Sequence, residues 1–385
     1  MSADVCVVVP TIREYDCLRS YFENARLHGF DLDRLLVVLV TESFCDTESM
    51  AAMLAEEGVA GRVFDEPARR AWFRALGLSS FADLIPAESH AQTSFGLLYL
   101  WANDFEYGVF LDDDTRPHPD FDFFGRHLRN LEHDGTIDRV SSDERWVNVL
   151  HQNAEEHGLY PRGYPYAAMG ETVFEDATRA GDVVVSQGLW TGVPDLDAVR
   201  ILEDGDLDGR SSTRLTARDY DGTFVVAPGN YLTVCSMNLA FRREVVPAFY
   251  QLPMDDNPWG VGRFDDIWSG VFLKRACDLV GSQVSSGYPL CVHEKARRST
   301  FHDLAAEAPA LELNEHLWRI VDDAGDGAET YSDAYRAMAN ALRSGEWDGV
   351  RNGEFLRHVG EHMHRWLACL AAIDGTIDAP VPSDD

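Results

Sequence analysis

Near its start the chain carries two short aliphatic runs, Val5–Pro10 and Leu35–Val40, with a helix-length segment between them. Such runs are too short for a buried helix, and their β-branched residues are typical of strands buried on both faces of a parallel sheet. Helices are predicted near residues 14–28 and 46–57, and Thr11 is placed to cap the first of them. This βαβα opening predicts a doubly wound α/β sheet.

The rest of the chain continues with short strands and helices. Strands are predicted at 61–64, 107–111, 182–186, 237–241 and 288–292, and helices at 91–102, 266–280, 311–321, 331–344 and 353–373. Residues 116–230 are less regular, and 374–385 are predicted to be a frayed tail. We therefore expect a catalytic α/β domain over residues 1–302 and a helical extension over residues 303–385.

The net charge is strongly negative. The chain has 65 Asp and Glu against 33 Lys and Arg, a formal charge of −32, and lysine occurs only at Lys274 and Lys295. Dispersed carboxylates with almost no lysine are typical of adaptation to high salt, where screening makes self-repulsion tolerable. We expect a halophilic, archaeal source, with an acidic mesophilic enzyme as the alternative. Nucleic acid is not expected as a partner, because phosphate binding needs a basic face.

The cysteines and the N-terminus predict the compartment. Seven cysteines are widely spaced, with no C-x-x-C pair, which indicates reduced thiols rather than disulfides or structural zinc. Met1–Val5 carries an acid where a signal peptide carries bases, and no apolar run approaches the ~20 residues that span a bilayer. We expect a cytoplasmic protein without a transmembrane segment, and assembly into a homo-oligomer stays open.

Three consecutive aspartates, Asp112, Asp113 and Asp114, directly follow the strand predicted at 107–111. Ligand sites of open α/β sheets lie beyond the carboxyl ends of strands. Alternation along an extended chain places Asp112 and Asp114 on one face and Asp113 on the other. Hard divalent cations prefer oxygen ligands and keep positions open for phosphate, so the triplet predicts a metal site for a nucleotide-diphospho-sugar. The alternative is an acidic loop on a very acidic protein.

A third metal ligand is predicted at His293, at the end of the strand 288–292. One imidazole with Asp112 and Asp114 makes a ligand set suited to Mn²⁺ or Mg²⁺. A second group, in which His358 and His362 lie one helical turn apart, is interpreted as a solvated helix face rather than a metal site.

Seven ordered motifs carry a resemblance to a known family. They are Val9–Arg13, Asp112–Asp114, Arg162–Pro165, Gly188–Trp190 with Pro194–Ala198, Met237–Phe241, Gly262–Trp268 and His293–Ala296. In order and approximate spacing the chain is similar to the reversibly glycosylated polypeptides, the family of the UDP-arabinopyranose mutases, over about residues 5–300. A weaker similarity at 363–366 continues into the C-terminal helix.

The resemblance implies a GT-A type fold, a divalent metal held through the acidic triplet, and sugar transfer from UDP. Members interconvert the pyranose and furanose forms of UDP-arabinose, and they become reversibly glycosylated on the arginine that corresponds to Arg162. A guanidinium stays protonated and is a poor nucleophile. A phosphate clamp is therefore an equal alternative for Arg162.

Other motif residues are assigned by the chemistry of their side chains. Asp265 and Asp266, at a predicted helix start, are expected to accept hydrogen bonds from sugar hydroxyls or to act as a base. The expected substrate-binding residues are Pro10, Thr11, Arg13, Asp112, Asp113, Trp190, Asn238, Trp268 and Lys295. Arg13 would use a helix N-terminus and Lys295 a compact charge for phosphate. The two tryptophans would offer a face to a sugar or simply pack in the core.

One departure leaves the nucleobase open. The second strand of family members ends in an acidic, glycine-containing turn that helps bind uridine, whereas this chain has Thr41-Glu42-Ser43. The leading function is a UDP-sugar pyranose/furanose mutase, and the alternatives are a glycosyltransferase with a separate acceptor or a non-catalytic subunit of a mutase complex. A nucleotidyltransferase is disfavoured, because no glycine-rich phosphate loop follows the first strand.

Overall fold

The computed structural model describes residues 3–12, 15–150, 159–217, 222–347 and 349–377. Strands β1 to β13 cover Val5–Pro10, Leu35–Val40, Ala60–Phe64, Tyr107–Leu111, Thr115–Pro117, Thr136–Ser142, Trp146–Val147, Thr172–Arg179, Val183–Gly192, Phe224–Val226, Tyr231–Leu232, Asn238–Arg242 and Gln283–His293. Helices α1 to α10 cover Cys17–Leu27, Thr47–Glu56, Glu66–Ala75, Gln92–Ala102, Phe123–Leu131, Ala198–Asp204, Asp265–Val280, Thr300–Asp322, Tyr331–Ser344 and Glu354–Ile377.

Eleven of the described strands form one mixed sheet in the order β3-β2-β1-β4-β12-β9-β13-β10-β6-β8, with β5 paired to β13. Strands β1, β2 and β4 are parallel, and β12 runs antiparallel between β4 and β9. Strand β13 is parallel to β9. The carboxyl ends of β1, β2, β4, β9 and β13 therefore meet at one edge. The predicted α/β class, a Rossmann-like mixed sheet followed by C-terminal helices, is confirmed.

The parallel strands are buried because helices cover both faces of the sheet. Every residue of β4 is buried, as are Val5–Val9 of β1. Helix α4 packs so closely on β1 that a Cβ at Gly96 would lie 2.2 Å from Val8 Cγ1. Continuous aliphatic runs rather than alternating ones follow from this burial on two faces.

Thr11 does not cap α1, contrary to the sequence-based expectation. The helix begins at Cys17, after an Asp16 N-cap that makes no side-chain cap hydrogen bond. Thr11 Oγ1 instead donates a 2.9 Å hydrogen bond to Asp113 Oδ2. Because β1 and β4 are paired in parallel, their carboxyl ends are adjacent. The Asp113 carboxylate therefore lies within hydrogen-bond distance of the Thr11 hydroxyl.

Several element bounds also differ from prediction. Strand β13 begins at Gln283 rather than 288, and α8 begins at Thr300 rather than 311 although Pro309 lies inside it. Helix α10 runs on to Ile377, so the expected fraying from residue 374 is wrong for 374–377. For α8, tertiary packing overrides the local breaker Pro309. Residues 378–385 lie outside the described part of the chain.

The C-terminal helices share the main hydrophobic core. Leu313 of α8, Tyr335 of α9 and Trp366 of α10 belong to the same buried cluster as the strands. The boundary predicted between residues 302 and 303 falls in the first turn of α8 and stays a prediction. None of the helices that the structure describes is long and apolar enough to cross a membrane.

Candidate active site

A cavity of about 1140 Å³ opens where the parallel strands end. Its lining contains eight of the residues expected from the sequence, namely Pro10, Thr11, Asp112, Asp113, Asp114, Arg162, Asp265 and Asp266. Arg13 lies outside the described residues. The topology alone explains the convergence, because β1 and β4 deliver the first five and the Arg162 loop and α7 deliver the rest.

The three aspartates form a turn after β4 instead of continuing it in extended form. The Thr115 amide closes this turn by donating to the Asp112 carbonyl oxygen at 3.3 Å. As a result all three line the cavity, so the expectation that Asp113 faces away from the other two is wrong. Asp114 is held in place by the Ala296 amide, which donates to its Oδ2 at 3.1 Å.

His293 is buried at the end of β13 and faces Asp114. Its Nδ1 lies 2.8 Å from the Val193 carbonyl oxygen. Because a carbonyl only accepts, Nδ1 carries the proton, and Nε2 of the neutral ring keeps a lone pair. Nε2 lies 3.9 Å from Asp114 Oδ2. Burial lowers the pKa of His293 against the opposing effect of Asp114 and Asp195, which favours the neutral ring.

These residues fit a divalent cation by their chemistry. Among the described residues, no group of three His, Cys, Asp or Glu side chains is arranged so that it could hold a metal ion as it stands. However, a neutral imidazole lone pair faces a carboxylate, and a backbone carbonyl orients the other ring nitrogen as it does in metal-binding histidines. Burial, with repulsion from Asp114 and Asp266, raises the pKa of Asp112 well above its ordinary value. A cation among these groups would remove that repulsion.

Arg162 is held by carboxylates on two sides. Its Nε donates to Asp195 Oδ2 at 3.0 Å, and its two Nη atoms donate to the Asp266 carboxylate at 3.2 and 3.3 Å. Nη1 also donates to the Arg263 carbonyl oxygen. Burial alone would lower the pKa of Arg162, but Asp195, Asp266 and Glu307 raise it well above its ordinary value. The guanidinium is therefore a fixed cation at the cavity wall.

The glycine after Arg162 is required by the backbone. Gly163 has φ +86°, and a Cβ there would lie 2.3 Å from Ile267 Cγ2. Its carbonyl accepts a 2.8 Å hydrogen bond from Asn314 Nδ2 of α8. The Arg-Gly pair of this motif thus lets the loop pass close to α7 while Arg162 faces the cavity.

Asp265 and Asp266 occupy the first turn of α7, where a negative charge is favoured by the helix dipole. Asp266 is engaged by Arg162, whereas Asp265 is buried at the cavity wall. Burial, with repulsion from Asp266, raises the pKa of Asp265 to about 6, although His90 and Arg162 act in the opposite direction. A carboxylate with such a pKa is suited to proton transfer near neutral pH.

Three of the expected substrate-binding residues lie in the core behind the cavity. Asn238 bridges His127 Nε2 and the carbonyl oxygens of Leu189 and Pro289. Trp268 donates to Asn314 Oδ1 at 3.1 Å, and Trp190 is 1% exposed. None of the three belongs to the cavity lining. For the tryptophans, the structure places both side chains in core packing.

Lys295 is buried beside Asp195 rather than at the cavity surface. Its Nζ lies 3.7 Å from Asp195 Oδ1. Burial lowers the pKa of Lys295, and Asp195 opposes this effect. Lys274, the other lysine, is also buried and contacts Asp278 Oδ1 at 2.5 Å.

Sequence reasoning did not assign Glu42, which lines the cavity at the end of β2. It is 2% exposed, and its Oε1 accepts hydrogen bonds from Arg69 Nη2 at 3.2 Å, the Glu88 amide at 2.9 Å and Gln92 Nε2. The signal was its position directly after a buried strand, the same signal that identified the triplet. His90, Asp255 and His302 also line the cavity, but they lie in or next to loops that carry no comparable signal.

Among solved structures, a mannosyltransferase from Pyrobaculum calidifontis in complex with GDP-Man and Mn²⁺ has a TM-score of 0.35 at 15% identity, covering 99% of this chain and 77% of that one. Glucosyl-3-phosphoglycerate synthase from Mycobacterium tuberculosis, in a complex with Mn²⁺ and UDP-Glc, has a TM-score of 0.37 at 12% identity, covering 83% and 79%. These likenesses are too distant to add to the assignment.

Sequence relatives are closer. The chain is 28% identical over 316 residues to a probable UDP-arabinopyranose mutase 2 from Solanum tuberosum, covering 81% of this chain and 75% of the relative. It is 26% identical over 344 residues to UDP-arabinopyranose mutase 1 from Oryza sativa subsp. japonica, covering 88% and 83%. The family profile "Reversibly glycosylated polypeptide" matches residues 75–374. The chain therefore belongs to the reversibly glycosylated polypeptide family.

Proposed function

We propose that this protein is a metal-dependent enzyme that interconverts the pyranose and furanose forms of a UDP-sugar and carries the sugar reversibly on Arg162. The single observation that supports it most is that the three aspartates after β4 and Arg162 line the same cavity. A site for a metal-bound diphosphate and a site for the departing sugar are thus side by side. The family's relatives named UDP-arabinopyranose mutase support the same activity.

Asp114 and His293, with Asp112 as a further carboxylate, would hold Mn²⁺ or Mg²⁺. When bound, such a cation supplies positive charge to the diphosphate as its bond to the anomeric carbon breaks. Without the cation, the carboxylates would repel the diphosphate. With the cation bound, the cluster would stabilise UDP as it departs.

Arg162 would receive the sugar. As Nη2 bonds to the anomeric carbon and the bond to the UDP oxygen breaks, the Nη2 proton can pass to Asp266, whose Oδ2 lies 3.2 Å away. The carboxylates that keep Arg162 protonated at rest thus also accept its proton during attack. Asp265 would take the proton from the sugar hydroxyl that becomes the new ring oxygen and return it to the old ring oxygen as the bond from that oxygen to the anomeric carbon breaks. The phosphate clamp remains the alternative role for Arg162.

A glycosyltransferase with a separate acceptor is the second candidate. Its support is the volume of about 1140 Å³, which exceeds the ~300–1,000 Å³ typical of ligand pockets. His90 and Asp255 line the cavity from loops and His302 from the first turn of α8, and they offer polar contacts for an acceptor. A non-catalytic subunit is less well supported, because the triplet and Arg162 are both present.

The cellular setting is part of the proposal. All seven cysteines are free, which supports a reducing, cytoplasmic location. Both lysines are buried, so the described surface carries its positive charge on arginine, in line with adaptation to high salt. Self-association into a homo-oligomer is retained as a proposal.

The test is incubation with a panel of nucleotide-sugars and Mn²⁺ in multimolar KCl, followed by chromatography of the products and mass spectrometry of the protein. A furanose product supports the mutase. Sugar consumed only when an acceptor is added supports the transferase. No product and no adduct with any nucleotide-sugar would overturn both.

A further inference from the structure

Two of the motifs, separated by some thirty residues, form a single structural unit. The loop that carries Arg162 and Tyr166 lies against the segment Pro194–Ala198. Asp195 accepts from Arg162, and Asp197 accepts from the Tyr166 hydroxyl at 3.0 and 3.2 Å. Asp195 thus holds Arg162 of the first motif, and Asp197 holds Tyr166, the residue directly after that motif.

Asp195 holds Arg162 twice. The Arg162 amide donates to the Asp195 carbonyl oxygen at 2.9 Å, and the Arg162 Nε donates to Asp195 Oδ2 at 3.0 Å. The other carboxylate oxygen faces Lys295 Nζ at 3.7 Å. Asp195 therefore holds both the backbone and the Nε side of the Arg162 guanidinium, while Asp266 holds the Nη atoms, and Lys295 lies beside the Asp195 carboxylate.

The same short segment also fixes the proposed metal ligand. Val193, two residues before Asp195, accepts from His293 Nδ1 at 2.8 Å, and the Val193 amide donates to the His293 carbonyl oxygen at 3.0 Å. Segment 193–195 thus sets the position of Arg162 relative to His293.

Asp195 does not line the cavity, and its side chain is only 10% exposed. Its side-chain contacts among the described residues are with Arg162 and Lys295. Asp197 provides a natural contrast: it is fully buried and caps α6 by accepting from the Arg200 amide at 3.0 Å, and no contact recorded for the described residues joins it to Arg162.

We propose that Asp195 is the positioning residue of the reaction: its carboxylate holds Nε and with it the plane of the Arg162 guanidinium, so that the Nη atoms stay beside Asp266 at the cavity wall. This inference rests on the proposed function, since it concerns how Arg162 is presented to the sugar. Lys295 is then part of the same device rather than a phosphate ligand.

The test compares Asp195→Asn with Asp197→Asn as a matched control. Both changes are isosteric, and asparagine at 197 keeps the acceptor for Tyr166 and remains a good N-cap. Asp195→Asn should lower kcat by about 100-fold, as for a misplaced reacting group, with little change in KM because Asp195 does not contact the cavity. Asp197→Asn should change neither constant by more than a few-fold. Asp195→Glu keeps the charge and should recover part of the lost kcat.

A second readout does not depend on activity. Arg162 modification by phenylglyoxal, followed by peptide mass spectrometry, should be several-fold faster in Asp195→Asn than in the wild type and unchanged in Asp197→Asn. An unchanged kcat and modification rate in Asp195→Asn would overturn the proposal. Equal losses in the two asparagine variants would also overturn it. If Asp195→Asn does not fold, a wild-type kcat in Asp195→Glu would overturn it and a reduced kcat at unchanged KM would support it. If the wild type turns over no nucleotide-sugar, the proposed function fails, while the modification rates still decide the role of Asp195.

Discussion

At the scale of single residues, the chemistry of this site follows from carboxylates crowded around few cations. Asp112 and Asp265 respond by an increase in pKa, and Asp195 responds by a decrease because Arg162 and Lys295 outweigh its burial. We therefore propose that the same residue type serves as a cation ligand, a base and an anchor, according to its neighbours.

Asp265→Asn tests the proposed base. Activity of the wild type should rise with pH through about 6, the pKa of Asp265, because the base must be deprotonated. The variant should lose turnover by about 10²–10⁴-fold. A pH–rate profile of both proteins between pH 4.5 and 8 checks this. A rising limb near pH 6 that persists in an active Asp265→Asn would contradict the assignment.

The same substitution has a predictable effect on stability. Because the folded-state pKa of Asp265 is raised, the folded state pays increasingly for ionisation as pH rises from about 4 to about 6. Asp265→Asn should therefore increase the free energy of unfolding by about 1–3 kcal/mol at pH 7 and by much less near pH 4. Denaturant unfolding at both pH values measures it. A gain that does not depend on pH would contradict the origin we assign.

Asp114→Asn tests the cation site. The variant should lose turnover and bind Mn²⁺ at least about 10–100-fold more weakly, measured by titration calorimetry. Its apo form should be as stable as the wild type or more stable, because one of several repelling charges is gone. Asp120→Asn, at an exposed aspartate beyond the triplet, is the control. Full wild-type activity in EDTA would exclude the metal role.

Arg162→Lys separates the sugar carrier from the clamp. Lysine keeps the charge but loses the planar fork, so we expect turnover and any sugar adduct to be lost together. If Arg162 only clamps phosphate, binding should weaken by about 1–3 kcal/mol with measurable turnover. Intact-protein mass spectrometry and kinetics on the same sample distinguish the two.

The sequence correctly placed residues at the cavity where they follow a buried strand, and their roles stay predictions. Asp112 and Asp114 reach the cavity for this reason. Asn238 and Trp190 belong to motifs as distinct as that of the triplet, but their side chains are buried in the core and do not line the cavity. Sequence alone does not say which face of β9 or β12 is turned to the cavity, since both faces are buried.

At the scale of elements, α8 braces the site from outside the sheet. Its Asp303 and Glu307 hold the Arg263 side chain at 3.4 and 2.8 Å, and the Arg263 carbonyl in turn accepts from Arg162. Asn314 of α8 joins Gly163 to Trp268 of α7. The helical extension therefore contributes to the geometry around Arg162.

Asn314→Ala tests this brace. The substitution leaves the Gly163 carbonyl and the Trp268 indole N–H without a partner in the core, at a cost of about 2–4 kcal/mol. Thermal unfolding measures it, and kcat should fall with it because the Arg162 loop loosens. Asn340→Ala removes an exposed hydrogen bond to His364 and should stay within about 0.5 kcal/mol of the wild type. Equal effects of the two substitutions on stability and kcat would contradict the role of Asn314 in holding the Arg162 loop.

The elements themselves were largely predictable. Strands β1, β2 and β4 are predicted by their aliphatic runs, because a strand that is buried on both faces has apolar residues at consecutive positions. The early start of α8 was missed because Pro309 and the polar first turns gave no apolar periodicity; Ser299 caps the helix by accepting from His302. The irregular stretch 116–230 contains α5, α6 and several short strands whose pairing depends on distant partners.

At the scale of the whole molecule, we expect the net charge to determine the salt concentration at which the protein is stable. The formal charge of −32 repels itself at low ionic strength, where the Debye length reaches ~30 Å at 0.01 M. Dialysis into low salt should unfold or inactivate the protein. Melting temperatures measured between 0.01 M and multimolar KCl check this. An unchanged melting temperature would refute the adaptation to high salt.

The most direct test of the proposed function follows UDP-arabinopyranose with Mn²⁺ in multimolar KCl and resolves its conversion to UDP-arabinofuranose by chromatography over time. We predict that the furanose form appears with the wild type, disappears in EDTA, and is absent with Arg162→Lys. No furanose form under any condition, or equal amounts with and without EDTA, would contradict the account of a metal-dependent mutase at this cavity.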